Sequence, residues 1–197
     1  MGIFSLPHLF IGLIPKEIVM LDFTHVRYGI AIALVAILFG GSLGLSFGCC
    51  EDSIKGSLRA SADAVLDKHY SGDPNKAVKT ISKSWVYFKR AHLHSQTMGV
   101  IAIVFALLAT WLKFQPKFQL GISLLSGLGS LGYGVFWLLA AMLAPGMGST
   151  HAAKEAVGLI AQLSGGAFFV SSLALFGLII LKIFISGDKT SNLSDSP

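Results

Sequence analysis

Four long stretches of this chain carry no charged side chain. They are residues 28–50 (23 residues), 91–112 (22), 118–153 (36) and 156–181 (26). The hydrocarbon core of a bilayer is about 30 Å thick, and a helix crosses it with about 20 apolar residues. Each run is long enough, so the chain reads as an all-α integral membrane protein: a four-transmembrane-helix bundle. Only 15 Lys and Arg and 10 Asp and Glu occur in 197 residues, 13% of the chain, against about 25% in soluble domains. A soluble enzyme, a disordered chain and a disulfide-stapled secreted domain are excluded. An outer-membrane barrel is disfavoured, because its strands alternate in polarity every second residue. The formal charge of +5 does not point to nucleic acid, since the cations flank apolar spans as membrane anchors do.

The scarce charges are clustered. Residues 51–90 hold 13 of the 25. Within them Ile54, Leu58, Ala62, Val65, Leu66 and His69 follow helical spacing, and Glu51 and Asp52 sit where a helix N-terminus favours acids. Ser71-Gly72 reads as a stop and Asp73-Pro74 as a new N-cap with proline in the first turn. Val78, Ile81, Trp85, Phe88 and His92 then keep one apolar face that runs into the second span. This predicts an extramembrane helical hairpin between spans one and two, its second arm continuous with span two.

The expected organisation is therefore an interfacial N-terminal segment (1–27), span one (28–50), the hairpin (51–90), span two (91–113), span three (118–144), span four (151–183) and a disordered polar tail (184–197). Pro7 and Pro15 interrupt the first segment, and no basic stretch precedes it, so it does not read as a cleaved signal peptide. Leu6 stands where a myristoylation signal needs Ser or Thr. Four spans put both termini on one side. Lys113 and Lys117 in a short acid-free turn place that side in the cytoplasm.

Small residues recur at four-residue spacing, which lets helices approach closely. Span one has Ala36, Gly40, Gly44 and Gly48. Span three has Ser126, Ser130 and Gly134. Cys49 and Cys50 close span one and can be acylated, bind soft metals, form a strained vicinal disulfide or simply pack.

Parity brings the starts of spans two and four to the same face of the bilayer. His92 and His94 open one, and His151 opens the other. A helix turns about 100° per residue, so His92 and His94 point about 200° apart. His92 shares a face with Gln96 and Gly99, and is taken as the inward residue, with His94 as the alternate. His151, Glu155, Gly158, Gln162 and Gly165 likewise share a face. Polar groups in a membrane helix are costly unless paired or facing a wet cavity. The two stripes are expected to meet, forming a cluster of His92, Gln96, His151, Glu155 and Gln162.

Three functional classes follow. The first is a cofactor-binding protein, with haem b or a transition metal held by His92 or His94 and His151, serving electron transfer or metal handling. The second is a non-catalytic subunit or assembly partner, whose glycine-rich faces dock a membrane-protein partner or a second copy. The third is a small transporter or proton relay using His151 and Glu155. Against all three stands the plain alternative that interfacial histidines bridge headgroups and water, which is also the reading for His8, His25 and His69. No phosphate-binding loop, nucleophile elbow, C-x-x-C or zinc-protease motif is present, and the chain reads as non-enzymatic.

Overall fold

The computed structural model describes residues 21–185. Seven α-helices follow in order: α1 (Arg27–Cys49), α2 (Glu51–Asp63), α3 (Leu66–Tyr70), α4 (Pro74–Trp111), α5 (Pro116–Gly146), α6 (Thr150–Ala156) and α7 (Gly158–Ile180). A single π-helical turn, Leu181–Ile185, closes the described chain. Four segments are long and apolar enough to cross a membrane: Arg27–Cys49, Pro74–Trp111, Pro116–Gly146 and Gly158–Phe184. The protein is an all-α, multi-pass membrane bundle. Most of the interfacial segment read over 1–27, and nearly all of the polar tail from 184, lie outside the described residues.

The hairpin is built as its residues dictate. Asp73 accepts a hydrogen bond from the backbone N–H of Asn75 (2.9 Å) and Pro74 opens α4, satisfying an orphan donor at the helix start. At the tip, Ser71 and Gly72 both take left-handed conformations (φ +56° and +70°), and the Gly72 N–H reaches back to Leu66 O (3.2 Å). The Ser71 N–H turns to the same carbonyl, so the two left-handed residues fold back on Leu66 and stop α3. The first arm is not one helix, because the chain breaks at Ala64–Val65 between α2 and α3. The second arm and span two are a single helix of 38 residues, about 57 Å long at 1.5 Å per residue. A bilayer core hides about half of that, so α4 carries the hairpin rigidly out of the membrane.

The hairpin packs back on the bundle. Leu58 of α2 joins Tyr87, Phe88 and Ala91 of α4 and Phe136, Trp137, Ala140 and Ala141 of α5 in one apolar cluster. Tyr70, almost fully buried, donates its hydroxyl hydrogen to Pro145 O of α5 (2.7 Å). His69 closes over Gly148, whose positive φ (+66°) and missing side chain leave room for it.

Helix α5 is the axis of the bundle and touches α1, α4 and α7. Its small residues make this feasible. A Cβ on Gly127 would fall 2.7 Å from Gly29 O of α1, one on Gly129 2.7 Å from Ser164 O of α7, and one on Gly134 1.7 Å from Ser95 Oγ of α4. Ser126 and Ser130 are fully buried and return their hydroxyls to Ile122 O and Ser126 O of their own helix (2.7 and 2.6 Å). Bonded in this way, a buried serine is small without being an unsatisfied polar group.

Span four departs from the single helix expected over 151–183. Ser149 caps a short α6 by accepting from His151 N and Ala152 N (3.2 and 3.3 Å). The helix then breaks at Val157 (φ −113°, ψ 13°), immediately before Gly158. Span three also runs on to Gly146, with Pro145 inside its last turn.

Candidate functional site

Each sequence-predicted site residue has a definite address. His92 lies between α4 and α1. Its Nδ1 is 2.7 Å from Gly40 O, a contact across 52 residues of chain, and its ring meets Phe47 edge-on at 5.6 Å. A carbonyl oxygen only accepts, so Nδ1 carries the hydrogen and Nε2 of the neutral ring keeps its lone pair. Gln96 lies one turn further along. A Cβ on Gly40 would sit 2.7 Å from Gln96 Cγ, and one on Gly44 would sit 2.6 Å from His92 Cε1. Gly40 and Gly44 are thus the floor on which His92 and Gln96 rest, and Ala36 of the same stripe is buried. Gly48, the last member, meets nothing within 4 Å.

His94 points the other way, into α5. Its ring is 5.2 Å from Tyr133 and lies nearly parallel to Trp137 at 6.1 Å. The Arg90 guanidinium covers Trp137 at 4.8 Å and Tyr87 at 5.5 Å. This cation–aromatic stack was not picked out in the sequence as a site, although Tyr87, Arg90 and His94 share a helix face. The signal lay in the partner: Tyr133 and Trp137, four residues apart on α5.

His151 is far more exposed than either. It faces Glu155 across 3.6 Å, and the two side chains are 78% and 69% exposed. With Lys154, Gly158, Leu159 and Gln162 they line an open groove of about 480 Å³ on the outer side of α6 and α7. The expected meeting of the α4 and span-four stripes does not take place within one chain. Helix α7 docks on α5, and it barely touches α4. His92 faces α1, His94 faces α5, and the His151–Glu155–Gln162 stripe faces outward. Among the described residues no group of three or more His, Cys, Asp or Glu side chains is placed to hold a metal ion. Cys49 and Cys50 are joined to each other at the end of α1.

A second polar concentration lies at the opposite end of the bundle, where α1 begins and α4 turns into α5. Asp22, His25, Thr110, Lys113 and Gln119 line a cavity of about 330 Å³ whose remaining walls include Trp111 and Phe114. Asp22 Oδ1 accepts from Thr24 N (2.9 Å), and hydrogen bonding to Thr24 holds its carboxyl below the usual range.

Set beside known protein families, curated proteins and solved structures, the chain matches none.

Proposed function

We propose that this protein is a non-catalytic assembly subunit of the membrane, and that it joins its complex through the outer face of α6 and α7. One observation carries this reading. Gln162 is exposed one turn inside a spanning helix, flanked at four-residue spacing by Gly158 and Gly166, and a Cβ on either glycine would meet nothing within 4 Å. The other glycines that flank a helix contact, such as Gly29, Gly40 and Gly129, are occupied by a neighbouring helix. A glycine–amide–glycine face turned to lipid has the form of a helix-docking surface without its helix. An amide facing hydrocarbon is also costly until it finds a partner.

The occupant is a second copy of the chain. Two copies inserted with the same topology bring α7 beside α7 in parallel, with Gln162 level with its symmetry mate. A carboxamide both donates and accepts, so the pair is self-complementary about a twofold axis. At the headgroup level the same rotation sets Glu155 of one copy near His151 and Lys154 of the other, which are opposite charges when His151 is protonated. On this reading the turn with Lys113 and Lys117 faces the cytoplasm, and the paired hairpins form a platform on the other side.

Size-exclusion chromatography with light scattering, in mild detergent and in nanodiscs, tests the proposal. Wild type is expected as a dimer, Gly158→Leu with Gly166→Leu as a monomer, and Gln162→Leu with at least fivefold weaker association, on the scale of one interhelical hydrogen bond of about 1 kcal/mol. A monomeric wild type, or a dimer indifferent to the double leucine variant, overturns it.

A second reading, haem b or a transition metal as cofactor, is favoured by His92. A backbone carbonyl fixing one ring nitrogen and leaving the other as a lone-pair donor is the usual arrangement behind a ligating imidazole. An absorption spectrum and metal analysis of wild type and His92→Ala decide it: a colourless, metal-free wild type removes this reading.

A further inference from the structure

The ends of α4 and α7 come together on one face of the bilayer, beside the turn into α5. Ala109, Ile122 and Leu175 form an apolar cluster there, with Phe114 and Leu178 packed against it. Phe114 and Leu178 also line an open groove of about 420 Å³. Its walls come from two separate parts of the chain. The α4–α5 turn and the start of α5 supply Lys113 and Phe118, and the end of α7 supplies Leu181 and Lys182.

Both lysines are positioned by the fold and open to a ligand. Lys113 is exposed and takes a left-handed conformation (φ +52°), one that glycine adopts more readily. Lys182 is also exposed. It donates one ammonium hydrogen to Leu112 O at the end of α4 and has two more to give. Lys117 adds a third cation nearby, 5.4 Å from the Phe118 ring. The charge on this groove has one sign. Helices α4, α5 and α7 and the π turn contain no Asp or Glu, and no carboxylate lines the groove. Asp22 lines the neighbouring cavity, which shares Lys113, and forms no ion pair with it among the described residues. Phe118 and Leu181 are 40% and 52% exposed. At the end of a span, such a wall meets acyl chains below and headgroups above.

We propose that this groove binds an acidic phospholipid, with its phosphodiester between Lys113 and Lys182 and its acyl chains running along Phe118, Leu178 and Leu181 into the bilayer. Basic pockets between spanning helices suit such headgroups. The ligand must bring an anion to the rim, an apolar body to the wall and no cation of its own. Phosphatidylglycerol meets all three conditions. Phosphatidylcholine and phosphatidylethanolamine carry the same phosphate, but their amine would be set against two lysines with no acid to receive it.

The test uses the full-length protein in nanodiscs containing equal parts of phosphatidylglycerol, phosphatidylcholine and phosphatidylethanolamine, with the lipids that remain bound read by native mass spectrometry. Phosphatidylglycerol is expected to be retained about tenfold over either zwitterionic lipid. Each lysine near an anionic headgroup contributes about fivefold, so Lys113→Gln or Lys182→Gln should lower the preference by about that factor, and the double variant should bring it to parity. Lys113→Arg with Lys182→Arg keeps the charge and should keep the preference. Lys76→Gln with Lys79→Gln removes the same charge from the exposed start of α4, far from the groove, and should leave retention unchanged. Equal retention of the three lipids by wild type, a preference that survives the Lys113 and Lys182 double variant, or an equal loss in the Lys76 and Lys79 variant overturns the proposal. Glycerophosphoglycerol, the same headgroup without chains, is expected to compete weakly. If it displaces the lipid at equal concentration, the ligand is a soluble phosphoester and the membrane source is refuted.

Discussion

Among the glycines of the described residues, Gly29, where α1 crosses α5, has a neighbouring backbone nearest to its missing side chain. A Cβ at that position would lie 2.3 Å from the carbonyl carbon of Ser123 and 2.4 Å from its oxygen. Carbon atoms in contact sit about 3.5–4.0 Å apart, so Gly29→Ala forces the two backbones to part by more than an ångström, and no side-chain rotation relieves it. Overpacking of this kind costs about 1–3 kcal/mol. The better helix propensity of alanine returns up to about 1 kcal/mol, which leaves a net loss of about 1–2 kcal/mol. Gly127 belongs to the same crossing, since its Cβ would press on Gly29 O at 2.7 Å. Once one alanine has separated the helices, the second finds the space already open. The double variant is therefore expected to be more stable than the sum of the two single losses by at least about 0.5 kcal/mol. Equilibrium unfolding by sodium dodecyl sulfate titration in a fixed detergent, followed by tryptophan fluorescence, measures all four corners of the cycle. Gly56→Ala is the control. It lies within α2, and a Cβ there would meet nothing within 4 Å, so it should stabilise by about 0.5–1 kcal/mol. A Gly29→Ala variant as stable as wild type, or strictly additive losses, refutes the close-contact argument.

Tyr70→Phe removes the hydroxyl that ties the hairpin to Pro145 O. That carbonyl keeps a contact from Gly148 N at 3.3 Å, so the cost should stay near 1 kcal/mol, seen as roughly fivefold faster hydrogen exchange in α3. A loss as large as that of Tyr70→Ala would contradict this. Burial holds the Tyr70 phenol above its ordinary value, partly offset by Thr80. The neutral form is thus favoured on folding, and the latch is complete below pH about 10. It weakens as the pH rises from there through the raised folded-state value. Hairpin exchange should show that alkaline loss in wild type and not in Tyr70→Phe. Ser95 Oγ is buried, has no hydrogen-bond partner among the described residues, and stands where a Gly134 Cβ would fall. Ser95→Ala should accordingly be neutral or stabilising by thermal unfolding, and should reduce the damage done by Gly134→Ala. Equal damage in both backgrounds would count against it.

The parts of this fold that were legible in the sequence are those set by one helix at a time. Span lengths follow from the apolar runs, the hairpin from its clustered charges, and the stop at Ser71-Gly72 from left-handed geometry. The four-residue stripe of α1 also marked a true contact face through Ala36, Gly40 and Gly44. It failed at Gly48, where a Cβ would meet nothing within 4 Å while α1 still meets α4 through the ring of its neighbour Phe47, a shift of contact face that periodicity does not encode. The break at Val157 was hidden for a related reason: a run of apolar residues reads as one helix whether or not a residue inside it is turned.

The meeting of His92 with His151 needed a different kind of information. Parity fixes depth in the membrane and leaves open the direction each face takes around its helix axis. Four helices can be arranged so that α4 adjoins α7 or so that α5 separates them. The selection is made by α5, whose glycines and self-bonded serines accept α1, α4 and α7 at once. With α5 in the middle, the span-four stripe has no neighbouring helix among the described residues. His151 and Glu155 tolerate that position because they sit at the edge of the span, pair with each other and keep contact with headgroup water. Gln162 has no such outlet one turn deeper. The argument that polar groups in a spanning helix must be paired therefore survives, and in the dimer we propose the partner comes from outside the chain. That relocation is what makes a second copy, and not a buried cofactor, the first thing to look for on this face.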